Sequence, residues 1–275
     1  MSIVLAIFYG IIQGVTEFLP VSSSGHLNIA QNLFGMENPE VFGMTFDILL
    51  HLATLIAVFI VYWRDIFPLI PAFFRMVGKL FRGNFKPDAY TADERMCMMV
   101  IIATLPLAAG IFLQDRVEFI ASNTKIIGAI LLFNAVVLFI SDKLARGNDT
   151  AATAKPRSAL AVGLCQLCAI VPGLSRSGST ITGGLLCGFS REFAVKFSFI
   201  LSIPAILGAN IMQVPDMIAS PIAAADIPAY LLGMLAAALS GVLAMKLLIL
   251  ISKKSNFRFF SYYCVAVGLI AIIFG

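Results

Sequence analysis

Apolar residues run along this chain in long continuous stretches, with polar residues confined to short intervals between them. Six stretches, at 44–63, 96–113, 126–140, 193–212, 229–251 and 259–274, have the length and character of bilayer-crossing helices. Two further apolar regions, 2–34 and 159–189, are different. The first is interrupted in its middle by EFLPVSSSGH at 17–26, the second by PGLSRSGST at 172–180. In each, the flanking pieces are too short to span alone. The pattern therefore predicts an all-α polytopic membrane protein with about six transmembrane helices and two re-entrant helical hairpins. Continuous rather than alternating apolarity argues against a transmembrane β-barrel. One smaller element stands apart. Phe67, Ile70, Phe73, Phe74, Val77, Leu80 and Phe81 recur at helical spacing with Arg75, Lys79 and Arg82 between them, after Pro68 and Pro71. This reads as a short amphipathic helix lying in the interface. Segments 83–94 and 144–157 read as loops.

Composition agrees. Hydrophobic residues make up 60% of the chain and charged residues 12%, and the mean hydropathy is +0.95. Soluble domains are roughly a quarter charged, so lipid must solvate part of this surface. With no long polar stretch, residues 1–275 form a single membrane domain.

Charge adds the orientation. Arg64, Arg75, Lys79, Arg82, Lys86 and Arg95 follow the first span. Lys143, Arg146, Lys155 and Arg157 follow the third, and Lys253, Lys254 and Arg258 separate the last two. The interval 213–228 carries Asp216 and Asp226 and no basic residue, and 114–125 is mixed. The positive-inside rule places the three basic intervals in the cytoplasm. Region 2–34 must then enter and leave on the outer face, and region 159–189 on the inner face. The chain becomes an inverted-topology repeat, with halves approximately 1–143 and 156–275 joined by the cytoplasmic loop 144–155. Gly10, Gln13, Pro20, Ser23 and Gly25 echo Gly163, Gln166, Pro172, Ser175 and Gly178 with a one-residue slip. Inverted repeats with broken helices are a transporter-like architecture. The formal net charge of +4 resides in short membrane loops and implies no nucleic-acid partner. The five cysteines lie in apolar runs. Cys165 and Cys168 form a CxxC with no second pair to complete a metal site, and read as small fillers. Residues 1–19 lack the basic n-region of a cleavable signal.

The two interruptions hold the candidate chemistry. Gln13 and Glu17, four residues apart, share one face of the entering half-helix. Pro20 ends it, and Ser22, Ser23 or Ser24 can cap the returning half-helix, whose N-terminus suits an anion. His26 lies three residues past Ser23, within expected reach of its hydroxyl. A carboxylate, a hydroxyl and an imidazole so close together suit nucleophilic attack on phosphorus or an acyl centre. In the second interruption Arg176 lies among Ser175, Ser177, Ser179 and Thr180, with Gly173 and Gly178 permitting close backbone approach: a phosphate cradle. Ionisable residues at membrane depth are costly and usually functional. Together the hairpins supply nucleophile, base and anion clamp for phosphoryl chemistry on a membrane-embedded substrate. Asp47 and His51, four apart on the first span, either line the same cavity or hydrogen-bond each other. Arg191 and Lys196 read as positive-inside anchors, and Asn134 and Asn210 as interhelical hydrogen-bond formers.

QGVTEFLPVSSSGH at 13–26 and PGLSRSGST at 172–180 resemble the two signature motifs of the undecaprenyl-diphosphate phosphatase (bacitracin-resistance) family, and FDILLHLAT at 46–54 and FSFILSIP at 197–204 are similar to further family blocks. The resemblance covers essentially the whole chain. It implies hydrolysis of undecaprenyl diphosphate to undecaprenyl phosphate and inorganic phosphate, in the bacterial cytoplasmic membrane with the site facing the periplasm or cell exterior. It also implies a divalent cation (Mg2+ or Ca2+), with Glu17 as candidate ligand, and a homodimer. Glu17, Ser23, His26 and Arg176 fall on the family's catalytic positions. Gln13, Ser22, Ser24, Gly173, Ser175, Ser177 and Thr180 are the substrate-binding candidates. Gln13 stands where members carry Glu or Gln, and Lys196 where some carry Glu. In the expected reaction Ser23 attacks the terminal phosphorus with His26 as base. The variants are His26 as nucleophile, or direct attack by water. A polyprenyl-phosphate transporter or flippase is the competing class, and a purely structural scaffold would leave Glu17, His26 and Arg176 without a task.

Overall fold

The computed structural model describes residues 1–33, 44–83, 89–144, 147–219, 222–253 and 257–275. Lys86, Arg146 and Lys254, three of the basic loop residues, lie outside the described residues. Within them the chain forms α1 (Ile3–Phe18), α2 (Ser23–Leu33), α3 (Met44–Ile66), α4 (Leu69–Phe81), α5 (Ala92–Thr104), α6 (Gln114–Ala121), α7 (Thr124–Leu144), α8 (Pro156–Cys168), α9 (Arg176–Leu186), α10 (Arg191–Ala219), α11 (Ile227–Lys253) and α12 (Arg258–Phe274). Each broken region is a pair of short helices, α1–α2 and α8–α9. Segments Thr45–Ile66, Ala92–Leu113, Thr124–Lys143, Arg191–Pro215 and Ala224–Lys253 are long and apolar enough to cross a membrane. The sixth expected span, α12, is apolar but shorter. This is a polytopic membrane protein.

The stretch expected to cross as one helix at 96–113 is not a single α-helix. It leaves α geometry after Thr104 and continues as a 3₁₀ helix, Leu105–Leu113, with Pro106 in its first turn. Proline lacks the N–H of the α ladder and clashes with the preceding turn. The mixed interval 114–125, read as a loop, contains the short helix α6. The amphipathic element is α4. Its Ala72 and Met76 are buried, while Phe73, Phe74, Leu80 and Phe81 stay exposed. Lys79 donates to both oxygens of the buried Glu94 at 2.7 and 2.9 Å, so this cation serves an intramolecular pair.

Close helix approach follows small residues. α1 lies against α11 where Gly10 meets the Gly233 backbone and Gly14 meets the backbone at Ala237 and Gly241. A Cβ at either α1 glycine would collide with those groups, so only glycine permits this spacing. α8 lies against α5 in the same way, with Gly163 facing the Ala103 backbone. α3 packs on α11 and α10 on α5, and α3–α10 and α7–α12 pair directly. The α1–α11 and α3–α11 pairings thus have counterparts in α8–α5 and α10–α5.

Contacts at the helix ends separate two faces. On one, the Met1 ammonium pairs with Asp226 at 2.6 Å, before α11, and Asn28 of α2 donates to Ala121 O at 2.6 Å, before α7. On the other, Arg191 and Arg258 meet Asp142 at 2.9 and 3.5 Å, Lys196 meets Asp65 at 2.7 Å, and Asp149 N donates to Gly188 O at 3.0 Å. The α1–α2 hairpin therefore opens on the face carrying Asp226, and the α8–α9 hairpin on the face carrying the basic residues.

Candidate active site

The hairpin tips are made by residues that cannot continue a helix. Pro20 forces Leu19 into extended backbone (ψ 147°), which ends α1. Ser22 then adopts φ +73°, a left-handed conformation costly for a residue with a Cβ, and its Oγ accepts from Gly25 N at 3.3 Å to cap α2. In the other hairpin Gly173 takes φ +93°, and a Cβ there would lie 2.9 Å from Ile127 O, so both conformation and space require glycine. Ser175 caps α9 by accepting from Gly178 N at 3.1 Å. The caps correct the register read from the sequence. Ser22, not Ser23, is the counterpart of Ser175, and Ser23 corresponds to Arg176. Each is the first residue of its returning half-helix.

The two tips are tied together. Ser177 donates to Leu19 O at 3.1 Å, and Asn134 of α7 donates to Pro20 O at 3.1 Å while accepting from Ser175 N at 3.3 Å. These bonds satisfy carbonyls left open where α1 ends. Asn134 is thus the interhelical hydrogen-bond former expected of it, acting on both hairpins at once. Asn210 is not: its Nδ2 is buried with no partner among the described residues.

Once the tips meet, four polar side chains converge on Glu17, which is 8% exposed. Ser23 Oγ donates to its Oε2 at 2.7 Å, and Arg176 Nη2 donates to its Oε1 at 2.7 Å. Gln13 Nε2 donates to Oε2 at 3.1 Å, and His51 Nε2 lies 3.8 Å from the same oxygen. His51 Nδ1 lies 2.9 Å from its own helix's Asp47 O, and 3.7 Å from the Asp47 carboxylate. Asp47 and His51 therefore contact each other, through the backbone carbonyl and at ion-pair distance, while His51 also approaches Glu17. Arg176 also donates from Nη1 to Ser198 O at 3.5 Å. A hydroxyl on a carboxylate, beside a guanidinium, is chemically suited to nucleophilic attack next to a bound anion.

His26 sits elsewhere than expected. Its bond to Ser23 is not formed. Nδ1 lies 2.7 Å from Ser22 O, and Nε2 lies 2.8 Å from the Tyr263 hydroxyl. In α2 the backbone carbonyl four residues back captures the imidazole before the hydroxyl three residues back can. Tyr263, the partner of His26, was not singled out from the sequence, because an aromatic in an apolar run carries no local signal. Several substrate-binding candidates are buried and engaged within the protein. Ser22 and Ser175 cap, Ser175 and Ser177 share a hydrogen bond at 3.1 Å, and Thr180 bonds Arg176 O and Ser198 Oγ at 2.9 and 2.6 Å. Gln13 stands fully buried behind Glu17. Ser24 alone of the serine run is exposed.

These donors do not make a cation site by themselves. The Glu17 oxygens are already held by a guanidinium, a hydroxyl and an amide. Among the described residues no three His, Cys, Asp or Glu side chains are grouped to hold a metal. The five cysteines are free: Cys97 and Cys264 are buried, Cys165 and Cys187 half-buried and Cys168 exposed.

Comparison with known proteins identifies the family. Residues 6–270 match the family described as bacitracin resistance protein BacA. The chain is 42% identical to the undecaprenyl-diphosphatase of Methanobrevibacter smithii and 40% identical to that of Methanosphaera stadtmanae, each over 99% of this chain and 98% of the relative. It is 39% identical to the undecaprenyl-diphosphatase of Bacteroides fragilis, over 98% of this chain and 96% of the relative. With hairpin motifs, architecture and full-length similarity in agreement, the chain belongs to the bacitracin resistance protein BacA family.

Proposed function

We propose that this protein hydrolyses undecaprenyl diphosphate to undecaprenyl phosphate and inorganic phosphate. In that role it recycles the lipid carrier of cell-envelope polymer synthesis and confers resistance to bacitracin. One observation carries the reading: Ser23 and Arg176, from opposite hairpins, each lie 2.7 Å from an oxygen of Glu17. The full-length relatives named undecaprenyl-diphosphatase support the substrate.

The prenyl chain stays in lipid while the diphosphate reaches the hairpin tips. Glu17 takes the proton of Ser23 as Ser23 Oγ attacks the terminal phosphorus. The bond from that phosphorus to the bridging oxygen breaks, and undecaprenyl phosphate leaves. Arg176 balances the charge on the transferring group. Water then cleaves the phosphoserine and releases phosphate. The positions of Glu17 and His26 favour Glu17 as the base towards Ser23. His26, held at both nitrogens, acts on the substrate side of the reaction or on the incoming water. A divalent cation, when bound, supplies further charge neutralisation. Glu17 and Asp47 are the carboxylates of the site that would hold it, together with the substrate.

We assign the site to the face on which the α1–α2 hairpin opens, because His26, Asp47 and His51 lie on the parts of α2 and α3 that lead from the tips to it. The basic intervals put the opposite face in the cytoplasm, so we place the site towards the periplasm or cell exterior. The halves 1–143 and 156–275 then form the inverted repeat, and the family resemblance implies a homodimer. A carrier would also use the anion clamp, but the Ser23–Glu17 hydrogen bond has no task in transport. The test is to quench a reaction with ³²P-labelled prenyl diphosphate and map the adduct by mass spectrometry. Phosphate on Ser23 is expected. Phosphate on His26 would reverse the roles, and an adduct on neither would indicate direct attack by water. If Ser23→Ala and His26→Ala both released phosphate at the normal rate in detergent, the enzyme reading would be lost.

A further inference from the structure

α12 is locked onto α7 in one register. Ser261, Cys264, Gly268 and Ala271 are buried along its inner side. Ser261 Oγ donates to Ala135 O at 2.7 Å, and Asn134 Nδ2 contacts Cys264 Sγ at 3.5 Å. A Cβ at Gly268 would lie 2.8 Å from Gly128 O, so α12 cannot slide without collision. This register carries Tyr263 to His26. The two rings are nearly parallel (interplanar angle 4°, centroids 5.5 Å apart), with Tyr263 Oη 2.8 Å from Nε2.

Hydrogen-bond accounting then fixes the proton positions. Ser22 O can only accept, so the 2.7 Å contact requires a proton on His26 Nδ1. In the neutral ring Nε2 is therefore the lone-pair nitrogen, and the Tyr263 hydroxyl donates to it. A base oriented at one nitrogen by a backbone carbonyl and at the other by a hydroxyl has one tautomer and one ring plane.

We propose that Tyr263 is a positioning residue of the phosphatase site: its hydroxyl, bonded to Nε2, fixes the ring plane of His26, whose Nδ1–H tautomer the Ser22 carbonyl sets. This rests on the proposed role of His26. Neither the phenol nor its register is legible in the two hairpin motifs, because it comes from the last helix.

Tyr263→Phe tests it, since phenylalanine keeps the ring and removes only the hydroxyl. Loss of one hydrogen bond predicts a fall in kcat of about three- to ten-fold with KM changed less than about two-fold. The spectroscopic arm is NMR of protein labelled with ¹⁵N-histidine in detergent, with the His26 signals identified by their loss in His26→Gln. The wild type should show the neutral Nδ1–H tautomer with its Nε2 signal shifted by the phenol's hydrogen bond, and Tyr263→Phe should keep that tautomer and lose the shift. In a His26→Gln background, Tyr263→Phe should cost no further rate. An Nε2 signal unchanged in Tyr263→Phe, or a rate loss that adds fully to that of His26→Gln, would overturn the proposal. If His26→Gln kept the full rate, the catalytic role of His26 and the positioning role of Tyr263 would both fall, while a phosphoserine at Ser23 would still uphold the phosphatase reading.

Discussion

Glu17→Gln removes one charge from the centre of the site and changes its shape little, which makes it the most informative substitution. Three donors converge on this carboxylate: the Ser23 hydroxyl, the Arg176 guanidinium and the Gln13 amide. A carboxylate accepts from all three, whereas a glutamine side chain presents one oxygen and one NH₂. If its oxygen faces Arg176, its NH₂ opposes Gln13 Nε2, and Ser23 must turn its proton elsewhere. Two consequences follow. The attacking hydroxyl loses its base, which general-base catalysis values at about 10²–10⁴ in rate, or about 3–5 kcal/mol. Arg176, with 16% of its side chain exposed, loses its counter-charge. Leaving one member of a buried pair costs about 3–5 kcal/mol, although the pair itself contributes less than that. The variant should therefore release phosphate at least about a hundred-fold more slowly and unfold at lower temperature. The assay is phosphate release from a prenyl diphosphate in detergent micelles, normalised to the folded fraction in a thermal melt. Glu17→Asp separates charge from reach: one methylene shorter, it keeps the charge but cannot meet Ser23 and Arg176 together. It should melt closer to the wild type than Glu17→Gln does and still be slow. A folded Glu17→Gln protein working within about three-fold of the wild-type rate would refute the assignment of Glu17 as base.

Two further outcomes are expected. Asn134→Ala removes the bond to Pro20 O and leaves Ser175 N without its acceptor, so the tips should loosen at a cost of about 1–3 kcal/mol in unfolding free energy. A parallel loss in kcat would show that holding the tips together matters to the chemistry. Topology is tested by single cysteines in a cysteine-free background. A cysteine at Ala223 should react with an impermeant reagent in intact cells, and one at Asn148 only after the membrane is opened; the opposite labelling would move the site to the cytoplasmic side.

Much of the fold was legible because the bilayer leaves few choices. A helix must satisfy its backbone internally and must be about 20 residues long to cross, so length and apolarity alone mark spans and expose the two breaks. Pro20, Pro172, Gly173 and the serine runs marked the breaks as turns, since proline, glycine and short hydroxylic side chains end and cap helices by local rules. The 3₁₀ continuation after Thr104 was less legible, because an apolar run looks the same in either helix. The one-residue error in matching the hairpins has a similar cause. Ser22 and Ser23 are chemically identical, and only the left-handed φ of Ser22 decides which one caps and which one turns to Glu17.

The local sequence by itself determined which side chains carry charge or a nucleophilic oxygen at membrane depth: Glu17, Ser23, His26, His51 and Arg176. It did so because such groups are expensive in an apolar run. Tertiary structure alone decided their partners. Arg176 meets Glu17 across 159 residues, Asn134 ties two tips from different hairpins, and Tyr263 reaches His26 across 237 residues. Those pairings depend on how closely helices approach and in what register they lock. Gly10 and Gly14 against α11 and Gly268 against α7 set that approach, and no local pattern records which face they will meet.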